Sequence, residues 1–463
     1  SGTIAMSGLL GALQVTEPLG VYGLGADSTV IDAQGNSRVF DIIGDQIPVV
    51  LNSLTISGGE TQGASEGGAG IRFNSDGKLT LGASNIIDNT TFGTGANGAG
   101  VQMLLGELSV IDSWFNSNLT AGDLAGGGGI WSQTDVTIRS STLSGNSTEG
   151  TNASGGGLQL DGGSLQLINT TISGNDTLAG DGAGIHGNEA IIAVNNSTIV
   201  NNVASSIGGG IALTAGVNSR LTIHNSVIAN NTDSGPAPDF TGTGVLTQTD
   251  AVLYSLIGDN AGTTLAESQT ADATSGNLVG DANAGGVIDP MLLSLSDYGG
   301  PTPSHIPEEA SPLIDAGDPG FLPDSFDPIL QYDQRGDPHE RVRTRLDIGA
   351  IEILTPLLID WSTPEDIAVG TALSETQLNA TANIAGNFSY TPAAGTVLSL
   401  GQGQTLTTTF TPDDLDLYSP TDTTVTINVT SSTPTLTWDT PDDIVFGTPL
   451  SATQLNASAN IAG

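Results

Sequence analysis

Residues 155–175 read GGGLQLDGGSLQLINTTISGN, and this stretch contains the pattern that decides the fold. A glycine cluster enters a short strand, Leu158-Gln159-Leu160, and a second apolar–polar–apolar strand follows at Leu165-Gln166-Leu167. A third strand, Thr171-Ile172-Ser173, leads into Gly174-Asn175. Because side chains alternate across a strand, the outer residues of each leucine triplet point to one side and the glutamine points to the other.

The same unit recurs six times between about residue 50 and residue 232. The last glycine of each cluster lies at positions 70, 100, 129, 157, 184 and 210, so the period is about 26 to 30 residues. Self-similarity at such a period is typical of solenoid proteins. Three short strands per period predict an all-β fold in which each unit is one coil of a parallel β-helix, which we expect to be right-handed.

An asparagine follows each third strand. The six are Asn89, Asn118, Asn146, Asn175, Asn202 and Asn231. We expect them to mark a tight corner, because Asn tolerates left-handed backbone geometry. Stacked about 4.8 Å apart, their side-chain amides can hydrogen-bond along the axis as a ladder. The glycine clusters predict another corner, where a positive φ or close packing excludes a Cβ.

Charge and composition exclude several classes of function. Lys and Arg number 9 against 49 Asp and Glu, for a formal net charge of −40. Such a surface repels nucleic acid and anionic lipid headgroups. The chain has no Cys, hence neither disulfides nor thiolate metal sites. No apolar run approaches the ~18 residues of a membrane span, so we expect no membrane insertion in this segment.

The end of the first half carries four distinctive motifs. They are SDYGGPTPSH (296–305), SPLIDAG (311–317), DQRG (333–336) and DIGAIE (347–352). With the coil pattern, they resemble the closing run of bacterial right-handed parallel β-helix repeat proteins of the choice-of-anchor Q type. The coils are more distantly similar to chlamydial polymorphic outer-membrane proteins. The resemblance covers roughly residues 20–355 and implies a secreted or cell-surface location in a bacterium, without an assigned enzymatic activity.

We assign residues 1–250 to the parallel β-helix and residues 251–355 to irregular C-terminal coils and a cap. The texture then changes to Thr-rich strands with period-two alternation, which predict an antiparallel sandwich. Residues 361–386 recur as 438–463, offset by 77, with 19 identities in 26 positions.

A repeat of this length with one core Trp predicts an Ig-like β-sandwich, and the stretch resembles the bacterial Ig-like tandem repeats of giant surface proteins. We assign residues 356–433 to one module and 434–463 to the beginning of a second. We expect the natural protein to extend beyond both ends.

Parallel β-helices include polysaccharide lyases and hydrolases, so an enzymatic function has to be weighed. Cleavage of an acidic polysaccharide needs basic side chains and clustered aspartates on adjacent coils. Arg72 and His186 share an outward column but lie four coils apart, about 19 Å at the strand spacing. We expect no column with carboxylates on two neighbouring coils, and we therefore predict that the protein is not an enzyme.

Two candidate sites remain. In the first outward column, Gln102, Trp131, Gln159 and His186 are contiguous, and a Trp flanked by amides is suited to stacking on a sugar ring. The alternative is an outward Trp covered by a loop. The second site is the acidic cluster Asp413, Asp414 and Asp416, which could bind Ca²⁺, the one cofactor that the sequence suggests. Solvated loop residues are the alternative.

These observations predict a non-catalytic extracellular structural and adhesive protein, a rigid rod segment of a larger bacterial surface adhesin or fibre. The alternative is a carbohydrate-binding or polysaccharide-processing β-helix that uses the flank around Trp131 and His186. We expect self-association or other surface subunits as partners, and a glycan as a further candidate partner.

Overall fold

The structure is a computed structural model of the chain. It describes residues 2–6, 11–214, 216, 219–241, 252–342, 345–354, 357–413, 415, 418–431 and 433–460. The chain forms two compact units, Ser1–Thr355 and Pro356–Gly463. The first is a parallel β-solenoid, which confirms the predicted all-β class. Within the described residues the one helix is a 3-10 turn at Pro323–Ser325.

Each regular coil has four strands rather than the predicted three, and we name the resulting sheets faces a to d. Face a consists of Leu13–Val15, Phe40–Ile43, Ile71–Asn74, Val101–Met103, Ile130–Ser132, Leu158–Asp161, Ile185–Asn188, Ile211–Thr214 and Phe240–Thr241. Face b consists of Leu19–Tyr22, Val49–Asn52, Lys78–Gly82, Glu107–Ile111, Asp135–Arg139, Ser164–Ile168, Ile191–Asn195, Arg220–His224 and Val252–Leu253.

The third predicted strand forms face c, the longest sheet. It consists of Gly2–Ala5, Thr29–Asp32, Thr55–Ser57, Asn85–Ile87, Trp114–Asn116, Thr142–Ser144, Thr171–Ser173, Thr198–Val200, Val227–Ala229, Leu256–Ile257 and Leu278–Val279. Face d consists of two-residue strands after the Asn corner, which are Glu60–Thr61, Thr90–Thr91, Leu119–Thr120, Ser147–Thr148, Asp176–Thr177 and Val203–Ala204.

Inward-pointing aliphatic side chains from faces a, b and c fill the interior. Leu143, Ile172, Ile199 and Ile228 are paired in register from coil to coil and are fully buried, as the sequence predicts. The last glycines of the clusters also stack. A Cβ at Gly157 would lie 2.6 Å from the carbonyl oxygen of Gly184 one coil away, so only glycine fits there.

The asparagines form the predicted ladder. Each Nδ2 donates to the Oδ1 of the asparagine on the next coil, at 2.8–2.9 Å. The left-handed residue, however, is the one before each asparagine, so the expected backbone role of Asn was wrong. The residues with left-handed backbone are Asp88, Ser117, Gly145, Gly174, Asn201 and Asn230. The asparagine itself is selected by its side chain, which is fully hydrogen-bonded inside the corner.

The segment with the four closing motifs folds back along the outside of face c. Gln334 donates to Thr142 Oγ1 at 2.8 Å and accepts from Thr171 Oγ1 at 2.6 Å. His305 Nε2 lies 2.9 Å from Ser173 Oγ, and the amide of Ala350 donates to Thr198 Oγ1. The outward hydroxyls of these coils are therefore buried beneath the closing segment.

The second unit contains a four-stranded sheet and two two-stranded sheets. The large sheet has the order Ile367–Ala368, Thr421–Thr430, Gly401–Pro412 and Gly386–Thr391. Its first pair is parallel and the others are antiparallel. The small sheets pair Ile359–Asp360 with Thr381–Ala382 and Leu436–Thr437 with Ser458–Ala459. The hydrophobic core of the second unit includes Trp361, Leu373 and Leu378. The Ig-like assignment stays a prediction.

Candidate functional site

The column predicted to bind carbohydrate lies on face a. Gln102, Trp131, Gln159 and His186 occupy equivalent positions on four consecutive coils, followed by Ala212. Strand alternation turns these side chains away from the aliphatic interior. The register therefore brings the four predicted residues together in one row.

Trp131 is covered rather than presented to solvent. Only 4% of its surface is exposed, and its Nε1 donates to Asp161 Oδ2 at 2.8 Å. The same carboxylate accepts from Gln159 Nε2 at 3.0 Å. The side chain of Gln159 lies over Gly126, at the entrance to the previous coil, and Gln102 lies in the same way over Gly67. Trp131 is therefore buried, as the alternative interpretation expected, and its indole N–H is satisfied by Asp161 on the next coil.

Sequence reasoning missed Asp161, although alternation in Leu158–Asp161 places it on the same outward side as Gln159. It also missed Asp41, which holds Arg72 in a bidentate ion pair with distances of 2.7 and 2.8 Å. Both aspartates occupy outward positions on face a, and their role is to satisfy the polar groups of this column.

His186 lies at the open end of the column, beside a hollow of about 260 Å³ lined by Asp181 and Ala212. Within the part of the chain that the structure describes, its buried Nδ1 has no hydrogen-bond partner. Burial lowers the pKa of this imidazole, although the nearby charges of Asp181 and Asp161 act in the opposite direction. The side chain is therefore neutral at neutral pH, and the accessible polar groups of the predicted carbohydrate site are those of Gln159 and His186.

The expectation that no column carries neighbouring carboxylates was wrong. Glu107 and Asp135 are paired on adjacent coils at the start of their face b strands. Glu107 faces Lys78 at 3.9 Å, and Asp135 accepts from the amide and hydroxyl of Ser164. Both carboxylates are exposed at a strand end and are held by polar neighbours. The pair was missed because the columns were counted from the apolar triplet of each strand, and Glu107 and Asp135 each come just before that triplet.

The predicted Ca²⁺ cluster is described only at Asp413, since Asp414 and Asp416 lie outside the described residues. Asp413 Oδ1 accepts from Asn387 Nδ2 at 3.3 Å. Across the described part of the chain, no group of three or more His, Asp or Glu side chains is arranged to hold a metal ion. The Ca²⁺ site stays a prediction.

A buried charged group lies within the closing segment, where Arg341 also contacts Asn196 of the coils. Arg341 is fully buried and donates to the carbonyl oxygen of Gly349 at 2.6 Å, while its Nε and Nη1 have no partner among the described residues. Asp347 and Glu352 belong to the same buried charged group, and burial raises the pKa of both carboxyls. Asp333 binds Arg335 at 2.6 Å and accepts from the amide of Glu352. These contacts join the DQRG and DIGAIE motifs to each other, which indicates a structural role.

No protein-family model, no curated protein and no solved structure matches this chain. In the described part of the chain, no helix is long and apolar enough to cross a membrane.

Proposed function

We propose that this chain is a non-catalytic extracellular structural and adhesive protein, a rigid segment of a bacterial surface adhesin or fibre. In this proposal the solenoid is right-handed and belongs with the choice-of-anchor Q type, and the second unit is built of Ig-like modules. Its partners are further copies of the chain or other surface subunits. Since the chain carries a net charge of −40, we expect salt to strengthen self-association, which light scattering at low and high salt would detect.

The asparagine ladder is the observation that carries the proposal. It runs without interruption from Asn89 to Asn231, and its last Nδ2 donates to the buried carboxylate of Asp239. Every rung also donates to a backbone carbonyl, as Asn175 does to Leu143. A satisfied buried network resists local opening, because each broken bond leaves a polar group unpaired in the interior. A stack of coils held in this way suits a protein that transmits force.

The closing segment supports the same proposal. It ties three consecutive coils together through Thr142, Thr171, Ser173 and Thr198. The residues that make these ties belong to the motifs that carry the family resemblance, so a mechanical role accounts for why those motifs have their particular residues.

An adhesion assay tests the proposal. Beads coated with the full chain and beads coated with albumin are allowed to settle on bacterial, mineral and glycan-coated surfaces and are then exposed to flow. We expect selective retention of the chain-coated beads. In parallel, the chain is incubated with acidic and neutral polysaccharides, with and without Ca²⁺. Time-dependent depolymerisation would overturn the non-catalytic assignment.

A further inference from the structure

A groove remains on face c where the closing segment stops. The outward column of face c runs from Thr198 through Thr171 and Thr142, which the closing segment covers, to Trp114 and Asn85, which it leaves half-buried. The groove has a volume of about 490 Å³. This lies within the range of about 300–1,000 Å³ typical of small-molecule sites.

Trp114 is held in one orientation on the groove floor. Its Nε1 donates to Ser144 Oγ at 2.8 Å, and that hydroxyl also contacts Asn116 Oδ1. Since Asn85 and Trp114 are register partners, they are one strand spacing apart, about 4.8 Å. Pro301 forms part of the wall contributed by the closing segment. A fixed indole beside an amide is an arrangement that stacks on one ring and hydrogen-bonds its substituents.

The polar groups of the floor are free to bind a ligand. Within the described residues, neither the amide of Asn85 nor the carboxylate of Asp112 has a side-chain hydrogen-bond partner. Burial raises the pKa of Asp112, against the influence of Arg139, whose guanidinium lies outside the groove and donates to the carbonyl oxygen of Ile329.

The groove is negatively charged. Asp27, Asp112 and Asp297 contribute to its lining, and among the described residues that line it there is no Lys or Arg. Anionic ligands such as uronic acids and phosphates are therefore repelled, and a ligand that carries a positive charge is attracted.

We propose that this groove binds an amine-bearing saccharide, with the sugar ring stacked on Trp114 and the ammonium group facing Asp112, which precedes Trp114 on the same coil. Asn85 donates to or accepts from ring hydroxyls. The site is distinct from the face a column around Trp131. A ligand site in this groove is compatible with the proposed structural role, and the binding proposal does not depend on that role.

The experiment measures binding by calorimetry to the full chain, with a glucosamine disaccharide, its N-acetylated form and a galacturonic acid disaccharide as the probes. We expect affinity to fall in that order. Trp114→Ala should weaken binding of the glucosamine disaccharide by about tenfold or more, the equivalent of ~1.4 kcal/mol. Asp112→Asn should weaken the glucosamine disaccharide and leave the N-acetylated form unchanged.

Trp131→Phe is the matched control, because Trp131 is also an outward Trp but is covered, and its replacement should leave binding unchanged. Melting curves of each variant establish that it is folded, and Trp114→Phe provides a milder change if Trp114→Ala is not. The proposal is overturned by the absence of binding at millimolar glucosamine disaccharide, by preference for the uronic acid, or by equal losses in Trp114 and Trp131 variants. None of these outcomes would affect the adhesion assay, which uses beads coated with the unsubstituted chain.

Discussion

The side chain of each corner asparagine accepts hydrogen bonds and donates them at the same time. Asn175 Oδ1 accepts from the amide and the Nδ2 of Asn146, while its own Nδ2 donates to Leu143 and Asn202. Aspartate lacks the donors and serine lacks the reach, so this position needs a carboxamide. The backbone strain falls on the preceding residue, here Gly174 with a φ of 67°.

Replacement of Asn175 by alanine tests the ladder. Because Asn175→Ala leaves buried donors on Asn146 and a buried carbonyl on Leu143 without partners, we expect a loss of about 1–3 kcal/mol in the free energy of unfolding. Asn188→Ala is the control, since Asn188 is exposed at the end of a face a strand, and it should change stability by less than about 0.5 kcal/mol. Urea denaturation of both variants provides the measurement, and equal small effects would show that the ladder adds nothing.

The ladder ends on an ionisable group, which gives the solenoid an unusual dependence on pH. Asp239 accepts from Asn231 and from the amide of Asp259, yet burial raises its pKa to about 7. Since this value exceeds that of an unfolded aspartate, about 3.9, the folded state holds the proton more tightly. The contribution of Asp239 to stability is therefore lost as the pH rises from about 4 through about 7.

Asp239→Asn isolates this effect, because an amide does not titrate. We expect the free energy of unfolding of the wild type to fall relative to that of the variant between about pH 4 and about pH 7. Urea melts at a series of pH values would measure the difference. A constant difference between the two proteins across this range would show that Asp239 is ionised throughout.

At the scale of elements, the closing segment locks face c through a few buried side chains. Gln334 is fully buried and also donates to Thr302 Oγ1 and to the carbonyl oxygen of Ser141. Gln331, three residues earlier, is exposed. Gln334 makes these buried contacts and Gln331 is exposed to solvent, so the two glutamines form a matched pair for substitution.

Gln334→Ala should release the closing segment while the coils stay folded. It leaves the Thr171 hydroxyl without its acceptor, at a cost of about 1–3 kcal/mol, whereas the Thr142 hydroxyl keeps its bond to the carbonyl oxygen of Pro303. We expect faster proteolysis within residues 290–353 and unchanged protection of the ladder coils, whereas Gln331→Ala should behave as the wild type. Mass spectrometry of the fragments would locate the cuts, and identical digestion of the two variants would contradict the lock.

The two 26-residue repeats of the second unit form the same local contacts but different packing. Trp361 Nε1 donates to the carbonyl oxygen of Gln377, and Trp438 Nε1 donates to that of Gln454, both at 3.0 Å. Trp361 is 9% exposed and Trp438 is 58% exposed. The difference arises because the first repeat packs against Leu406 and Ile427 of the four-stranded sheet.

This difference makes a paired substitution informative. Leu378→Ala should cost about 2–5 kcal/mol, because it opens a cavity in the core of the second unit. Leu455, its counterpart 77 residues later, is exposed, so Leu455→Ala should change stability by less than about 0.5 kcal/mol. Denaturation followed by Trp fluorescence would compare them. Equal losses would mean that both repeats are packed alike.

The sequence was sufficient to predict the coils and their register, because Gly157, Ile172 and Asn175 recur at fixed places and each place permits few residue types. It did not reveal face d, since Thr90–Thr91 is too short to show a period. The environment of Trp131 includes Asp161 of the next coil, and the path of the closing segment depends on contacts such as Thr171 with Gln334, some 160 residues apart. Contacts of that range leave no local pattern.

In the solenoid as a whole, we expect the ladder coils to form one mechanical body. In a solenoid each coil contacts only its neighbours, so stability is expected to decline toward the ends and wherever a neighbour contact is weak. Here the same amide network crosses every boundary from Asn89 to Asn231, and the closing segment adds contacts to coils in the middle of the stack.

Native-state hydrogen exchange of the full chain distinguishes one mechanical body from a stack of coils with a hinge. The backbone amides of Asn118, Asn146, Asn175 and Asn202 each donate to the Oδ1 of the next rung, so they report on successive coil boundaries. We predict that all four exchange with one common free energy, equal to that of global unfolding of the solenoid. A boundary whose amide exchanges through a local opening of lower free energy would reveal a hinge and contradict the rigid rod.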